Sequence, residues 1–214
     1  MWGVDGVSKP KLKCPLLCLI TDPEVPDLVK VVETALSSGI TMLQLRGHQL
    51  SAAQLHRLAL AVGPLCQHYR AVFIINDRVD VGLAAGADGF QLGRHSLPLT
   101  VVRQLVGEDY LLGASVHSVE EARTAVASGA DFLLAGTIFP SRSHPGGPTT
   151  GPSLLRDIKQ ILPTFPLLAV GGITTANAGQ AMAAGADGVA VISAILGAVD
   201  VTHAVSELRT KIGL

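Results

Sequence analysis

Four times along this chain an amphipathic stretch closes on a glycine and a short apolar run begins. The runs are Ser-Ser-Gly-Ile-Thr-Met-Leu-Gln-Leu ending at Leu45 and Ala-Ala-Gly-Ala-Asp-Gly-Phe-Gln-Leu ending at Leu92. Ala-Ser-Gly-Ala-Asp-Phe-Leu-Leu-Ala ending at Ala135 and Ala-Ala-Gly-Ala-Asp-Gly-Val-Ala-Val ending at Val191 complete the set. Each glycine suits a helix C′ position, where φ is commonly positive. Further apolar runs cover 16–21, 71–76, 111–115 and 167–170, and interleaving the two sets predicts eight strands. Helical periodicity is clearest over 28–36, 53–66, 119–127, 154–161 and 201–212. Strands alternating with helices imply a parallel sheet. An open doubly wound sheet shares that alternation, but eight strands in 214 residues favour a closed (β/α)₈ TIM barrel, which needs roughly 200 to 250. The reading is one α/β domain over 1–214, with 1–14 as an N-terminal extension.

Composition agrees with strands buried on both faces. Hydrophobic residues make up 48% and charged residues 15% of the chain, as a parallel sheet covered by helices requires. The net charge of −1 gives no general attraction to nucleic acid or to anionic membranes. No apolar run reaches the ~20 residues of a membrane span, and the first dozen residues lack a signal-peptide core. These features predict a cytoplasmic protein with a small-molecule substrate, and a homo-oligomer is compatible with them. Cys14, Cys18 and Cys66 read as reduced core thiols, and His56, His68 and His203 as surface residues on helical faces.

Chemistry in such a barrel sits at the C-terminal ends of the strands. The last two strands end in Val-Gly-Gly-Ile (170–173) and Val-Ile-Ser-Ala (191–194). Gly171 and Gly172 allow close approach to their backbone, and Ile192 and Ser193 open a short helix whose free amides attract anions. Phosphate is therefore expected at Gly171, Gly172, Ile192 and Ser193. Gln44, Arg46, Asn76, Gln91, Ser115 and Thr137 fall at the other strand ends and predict a polar ring for substrate. Arg46 suits a bidentate anion, or equally a structural ion pair with Asp77. His117, following a buried strand and preceding a Ser118 N-cap, is the expected catalytic acid–base. The irregular stretch 140–152, carrying His144, reads as a lid over the substrate. No histidine spacing here makes a zinc site.

These residues resemble the thiamine phosphate synthase and TenI barrels. The likeness runs through Leu-Ile-Thr-Asp (19–22), Gln-Leu-Arg (44–46), Ile-Ile-Asn-Asp-Arg-Val-Asp (74–80) and Gly-Ala-Asp-Gly-Phe-Gln-Leu-Gly (86–93). It continues through Ser-Val-His-Ser-Val-Glu-Glu-Ala (115–122), Gly-Thr-Ile-Phe-Pro-Ser (136–141), Val-Gly-Gly-Ile (170–173) and Gly-Val-Ala-Val-Ile-Ser-Ala-Ile (188–195). The synthase pattern has lysines where this chain has His48 and, in the lid, His144, and an aspartate where it has Ser96. Those departures leave Asp77 alone to hold the synthase's Mg²⁺. The resemblance then implies the TenI-like activity, a metal-free thiazole tautomerase acting on a phosphorylated carboxythiazole, with His117 moving the proton. The alternatives are thiamine phosphate synthase, with Mg²⁺, and a non-catalytic regulator that binds a thiazole or thiamine phosphate.

Overall fold

The structure is a computed structural model and describes residues 9–141 and 147–214. His144 lies outside the described residues, as do its neighbours from 142 to 146 in the expected lid. Eight parallel strands follow one another around a closed barrel: β1 (Leu16–Ile20), β2 (Met42–Leu45), β3 (Val72–Asn76), β4 (Gly89–Leu92), β5 (Leu111–Val116), β6 (Phe132–Ala135), β7 (Leu167–Val170) and β8 (Gly188–Val191). The barrel closes by pairing of β8 with β1. Nine helices are described: α1 (Leu28–Ser37), α2 (Ala52–Tyr69), α3 (Val79–Ala85), α4 (Leu99–Val106), α5 (Val119–Ala127), α6 (Gly151–Ile161), α7 (Ala178–Ala183), α8 (Ser193–Leu196) and α9 (Val201–Ile212). The α/β barrel expected from the alternation is thus the observed fold. Two helices run longer than their periodicity suggested. α2 continues through Pro64 to Tyr69, and α6 begins at Gly151, with a proline in its first turn, where a missing N–H does no harm.

Apolar residues form two shells. Leu16, Cys18, Ile20, Met42, Ile74, Leu111, Phe132, Leu134, Leu168 and Ala190 fill the barrel interior, and Leu12 packs against them. The alternate strand positions point outward into the larger cluster beneath the helices, as the two-residue period of a strand demands. The thiols divide between these environments. Cys18 and Cys66 are buried, with burial pushing both up to about 12. Cys14 is exposed, contrary to its expected place in the core. His56 also departs from expectation: its Nε2 is buried without a partner among the described residues.

The repeated glycine turns have a structural purpose. Gly39, Gly86, Gly129 and Gly185 all have positive φ. Two residues on, Thr41, Asp88, Asp131 and Asp187 accept side-chain hydrogen bonds from the N–H of Leu17, Phe73, Leu112 and Leu167, at 2.9, 2.7, 2.8 and 2.9 Å. Each also donates its own N–H to the carbonyl of that same residue. A two-bond clasp therefore ties each odd strand to the next even one at the end opposite the strand C-termini. Arg103 neutralises Asp131 at 2.7 Å and Lys159 neutralises Asp187 at 2.6 Å.

Asp88 has no such cation among the described residues, and burial pushes its carboxyl above the usual value. The folded form therefore holds its proton more tightly than the unfolded chain. Its contribution is fully present below the ordinary carboxylate value of 3.8 and is lost as pH rises through the raised one. Asp88→Asn keeps an acceptor oxygen without the charge, so its stability relative to wild type should rise across that window and be no lower at pH 7. Asp88→Ala removes the acceptor and should lose about 1–3 kcal/mol. Denaturant midpoints at pH 3 and pH 7 check both, and an Asn variant that weakens as pH rises contradicts the assignment.

Candidate active site

The C-terminal rim collects most of the expected residues. Gln44, Asn76, Gln91 and Ser115 continue the inward-facing positions of β2 to β5 and cap the apolar interior with polar groups. Gln91 is 2% exposed and donates from Nε2 to Ser115 Oγ at 3.1 Å. Gln44 is 3% exposed, and its side-chain amide has no hydrogen-bond partner among the described residues. The side-chain atom of this ring that is buried without a partner among the described residues is Gln91 Oε1, and an orphaned buried acceptor is costly.

Arg46 extends the inward row of β2. Its main chain is clamped by Thr21, which is fully buried: Arg46 N donates to Thr21 Oγ1 at 2.9 Å, and that hydroxyl donates to Arg46 O at 3.1 Å. Thr21 was not among the expected site residues, although it ends the first apolar run. The expected ion pair between Arg46 and Asp77 does not form. Arg46 Nε instead donates to His48 Nε2 at 2.9 Å. His48 Nδ1 lies 3.7 Å from Asp77 Oδ2. Burial and the Arg46 charge push the imidazole below its usual value, against the pull of Asp77.

Asp77 sits at φ 59°, a left-handed conformation that Asp and Asn tolerate better than most residues. Asn76 Nδ2 donates to its Oδ2 at 2.5 Å. The Ser96 hydroxyl donates to its Oδ1 and accepts from Gly93 N at 2.6 Å. The β3 and β4 loops are joined through this single carboxylate.

At the end of β5, His117 is exposed and its Nδ1 lies 2.5 Å from Gly136 O. A carbonyl only accepts, so the proton is on Nδ1 and Nε2 is left as the basic nitrogen. The loop is held by Glu121, whose Oε2 accepts from His117 N at 2.6 Å and whose Oε1 lies 3.6 Å from Arg94. Ser118 caps α5 through Glu121 N at 3.1 Å, as its spacing suggested.

The two glycines at the end of β7 have a tertiary reason beyond ligand access. Both have positive φ, 93° at Gly171 and 64° at Gly172. A Cβ on Gly171 would come within 2.5 Å of Thr137 Cγ2, and one on Gly172 would strike the carbonyl oxygens of Phe139 and Pro140. Thr137 thus packs closely against Gly171, and its carbonyl also accepts from Thr150 N at 2.8 Å, fastening the far end of the 140–152 stretch. β7 and β8 are neighbours, so this turn and Ile192–Ser193 lie side by side. Among the described residues, no acceptor meets the amides of Gly172, Ile173 and Ser193. α8 is one turn long, so these N–H groups, more than a helix dipole, are what the corner presents to solvent or to a ligand.

An open groove of about 770 Å³ between α1 and α2, lined by Val25, Leu28, Leu50 and Leu58 among others, contains none of these residues. No helix of the described residues is long and apolar enough to cross a membrane. No group of three metal-ligating side chains occurs among them.

Fold and rim together define a (β/α)₈ barrel whose mouth carries unpaired amide donors at the ends of β7 and β8, an arginine and a carboxylate at the ends of β2 and β3, and a histidine at the end of β5. Residues 17–195 match the family model described as thiamine monophosphate synthase, and the chain belongs to that family. It is similar to the thiamine-phosphate synthase of Chlorobium limicola, 44% identical over 91% of this chain and 92% of that one. The thiamine-phosphate synthase of Pyrococcus abyssi is 40% identical over 90% of this chain and 92% of its own length. The solved thiamine phosphate pyrophosphorylase of Pyrococcus furiosus superposes with a TM-score of 0.86 at 38% identity, covering 92% of this chain and 95% of that structure. The closer likeness to TenI expected from positions 48, 96 and 144 is not supported by these relatives, which carry the synthase name.

Proposed function

We propose that this barrel is a thiamine phosphate synthase, a transferase that joins a hydroxymethylpyrimidine pyrophosphate to a thiazole phosphate. The reading is carried by 44% identity to a named synthase over 91% of the chain. The unpaired donors at the mouth support it. The thiazole phosphate is assigned to the backbone around Gly171, Gly172, Ile192 and Ser193. Gln44 supplies its free amide to the pyrimidine edge, and Arg46 takes the pyrophosphate. Asn76, Gln91 and Ser115 shape the floor beneath the rings. The thiazole nitrogen then bonds to the pyrimidine methylene carbon as that carbon's bond to oxygen breaks, and pyrophosphate leaves. Fixing both rings in line supplies much of the rate enhancement.

The family implies Mg²⁺. This ion prefers hard oxygen ligands and usually combines one or two carboxylates with substrate phosphates and water. The Asp77 carboxylate and Ser96 hydroxyl adjoin one another and fit that substrate-bridged mode, though not an all-protein cage. Asp77 and Ser96 would hold the ion, which would supply charge neutralisation to the leaving pyrophosphate.

A second reading, the thiazole tautomerase, is favoured by one observation: His117 keeps Nε2 basic at the exposed rim, as metal-free proton transfer requires. A two-substrate assay decides. The purified protein should form thiamine phosphate with Mg²⁺ and lose that activity on chelation. Tautomerisation that survives chelation, without coupling, would replace the synthase by the tautomerase. Turnover of neither substrate set, with thiamine phosphate still bound, would leave the regulator.

A further inference from the structure

We propose that His48 is a positioning residue whose imidazole fixes the Arg46 guanidinium, leaving its Nη1–Nη2 edge to grip the terminal phosphoryl of a pyrophosphate. The choice of a pyrophosphate rests on the synthase reading; the positioning of Arg46 does not.

Arg46 is constrained at two levels. Its backbone is held by the Thr21 hydroxyl through a donated and an accepted bond. Its side chain is held at Nε by His48 Nε2, at 2.9 Å. A guanidinium only donates, so Nε2 carries a lone pair and the imidazole proton is on Nδ1. Nδ1 faces Asp77 Oδ2 at 3.7 Å. That carboxylate is in turn held by Asn76 Nδ2 and the Ser96 hydroxyl, with Ser96 receiving Gly93 N–H. The far side of the imidazole thus faces, beyond hydrogen-bonding distance, a carboxylate fixed by the β3 and β4 loops.

The consequence lies at the other end of Arg46. Among the described residues no carboxylate pairs with it, and neither Nη1 nor Nη2 makes a hydrogen bond. Two parallel N–H groups remain for a bidentate oxyanion. Arginine loses less freedom per bond when its planar fork is already oriented, so a neutral acceptor at position 48 raises the affinity of a cation it never replaces. A lysine there has no lone pair for Arg46 Nε and would repel the guanidinium, so this chain uses one preset cation where a lysine would add a second, separate one.

A mutant cycle tests the idea, with inorganic pyrophosphate and fixed Mg²⁺ as the calorimetric probe. His48→Ala should weaken binding about 10-fold in the wild-type background, and less than about 2-fold in Arg46→Ala. His48→Gln, which retains an acceptor oxygen, should recover most of the loss. Equal losses in both backgrounds would mean that His48 touches the ligand itself, and no loss in either would mean that Arg46 needs no support; each result overturns the proposal. Failure of the wild type to bind pyrophosphate would instead undermine the synthase reading. In that event the Arg46 Nε–H resonance decides the positioning claim. Slow exchange that His48→Ala abolishes upholds it, and rapid exchange in the wild type refutes it.

Discussion

Asp77→Asn is expected to lower Mg²⁺-dependent coupling on the order of 10²- to 10³-fold, the range seen when a single preorganised electrostatic group is removed. The substitution is well suited to the question because asparagine also tolerates the left-handed conformation found at φ 59°. Its carbonyl still accepts from Ser96, so the β3–β4 link survives while the charge does not. Thermal unfolding should change little, and the variant should respond only weakly to added Mg²⁺. Steady-state coupling at several Mg²⁺ concentrations provides the measurement. An unaltered rate with unaltered Mg²⁺ dependence would remove Asp77 from metal binding.

His117→Asn separates the two catalytic readings. In coupling, no proton need move at the end of β5, so the variant should stay within a few-fold of wild type. In tautomerisation, the ring must give and take a proton, and loss of a placed acid–base group lowers kcat by ~10² to 10⁴-fold. Asparagine can still donate to Gly136 O, which keeps the loop anchor and makes a folding defect a poor explanation for any loss. Parallel kcat measurements on the two substrate sets distinguish the cases. A large loss of coupling would show that His117 serves the transferase chemistry itself, and would redraw the mechanism.

The departures at positions 48 and 96 were visible in the sequence, but their meaning was not. Read as lost cations and lost ligands, His48 and Ser96 pointed toward the tautomerase. In the folded rim they engage Arg46 and Asp77, and that geometry accommodates the synthase family shown by the relatives. The Arg46–Asp77 pair was a reasonable expectation from charge alone. It fails because Thr21 fixes the arginine backbone and the intervening histidine supplies a nearer acceptor. Thr21 itself carried no polar signal beyond ending an apolar strand, so its role was legible only after β1 and β2 were seen to pair.

What the sequence determined by itself is the architecture. Four Gly-x-Asp or Gly-x-Thr turns and eight short apolar runs specify eight strands, because glycine conformation and strand period act between near neighbours in the chain. The same patterns put Gln44, Asn76, Gln91, Ser115 and His117 at strand ends on one rim, since all β–α loops of a closed parallel barrel leave from the same side. Only the tertiary structure decided which rim groups meet. The partners of Arg46, Asp77, Gly171 and Gly172 come from different loops, and hydrogen bonds and contacts of a few ångströms depend on how those loops turn. Periodicity says which face a residue occupies. It does not contain the distance between two loops that are far apart in the chain.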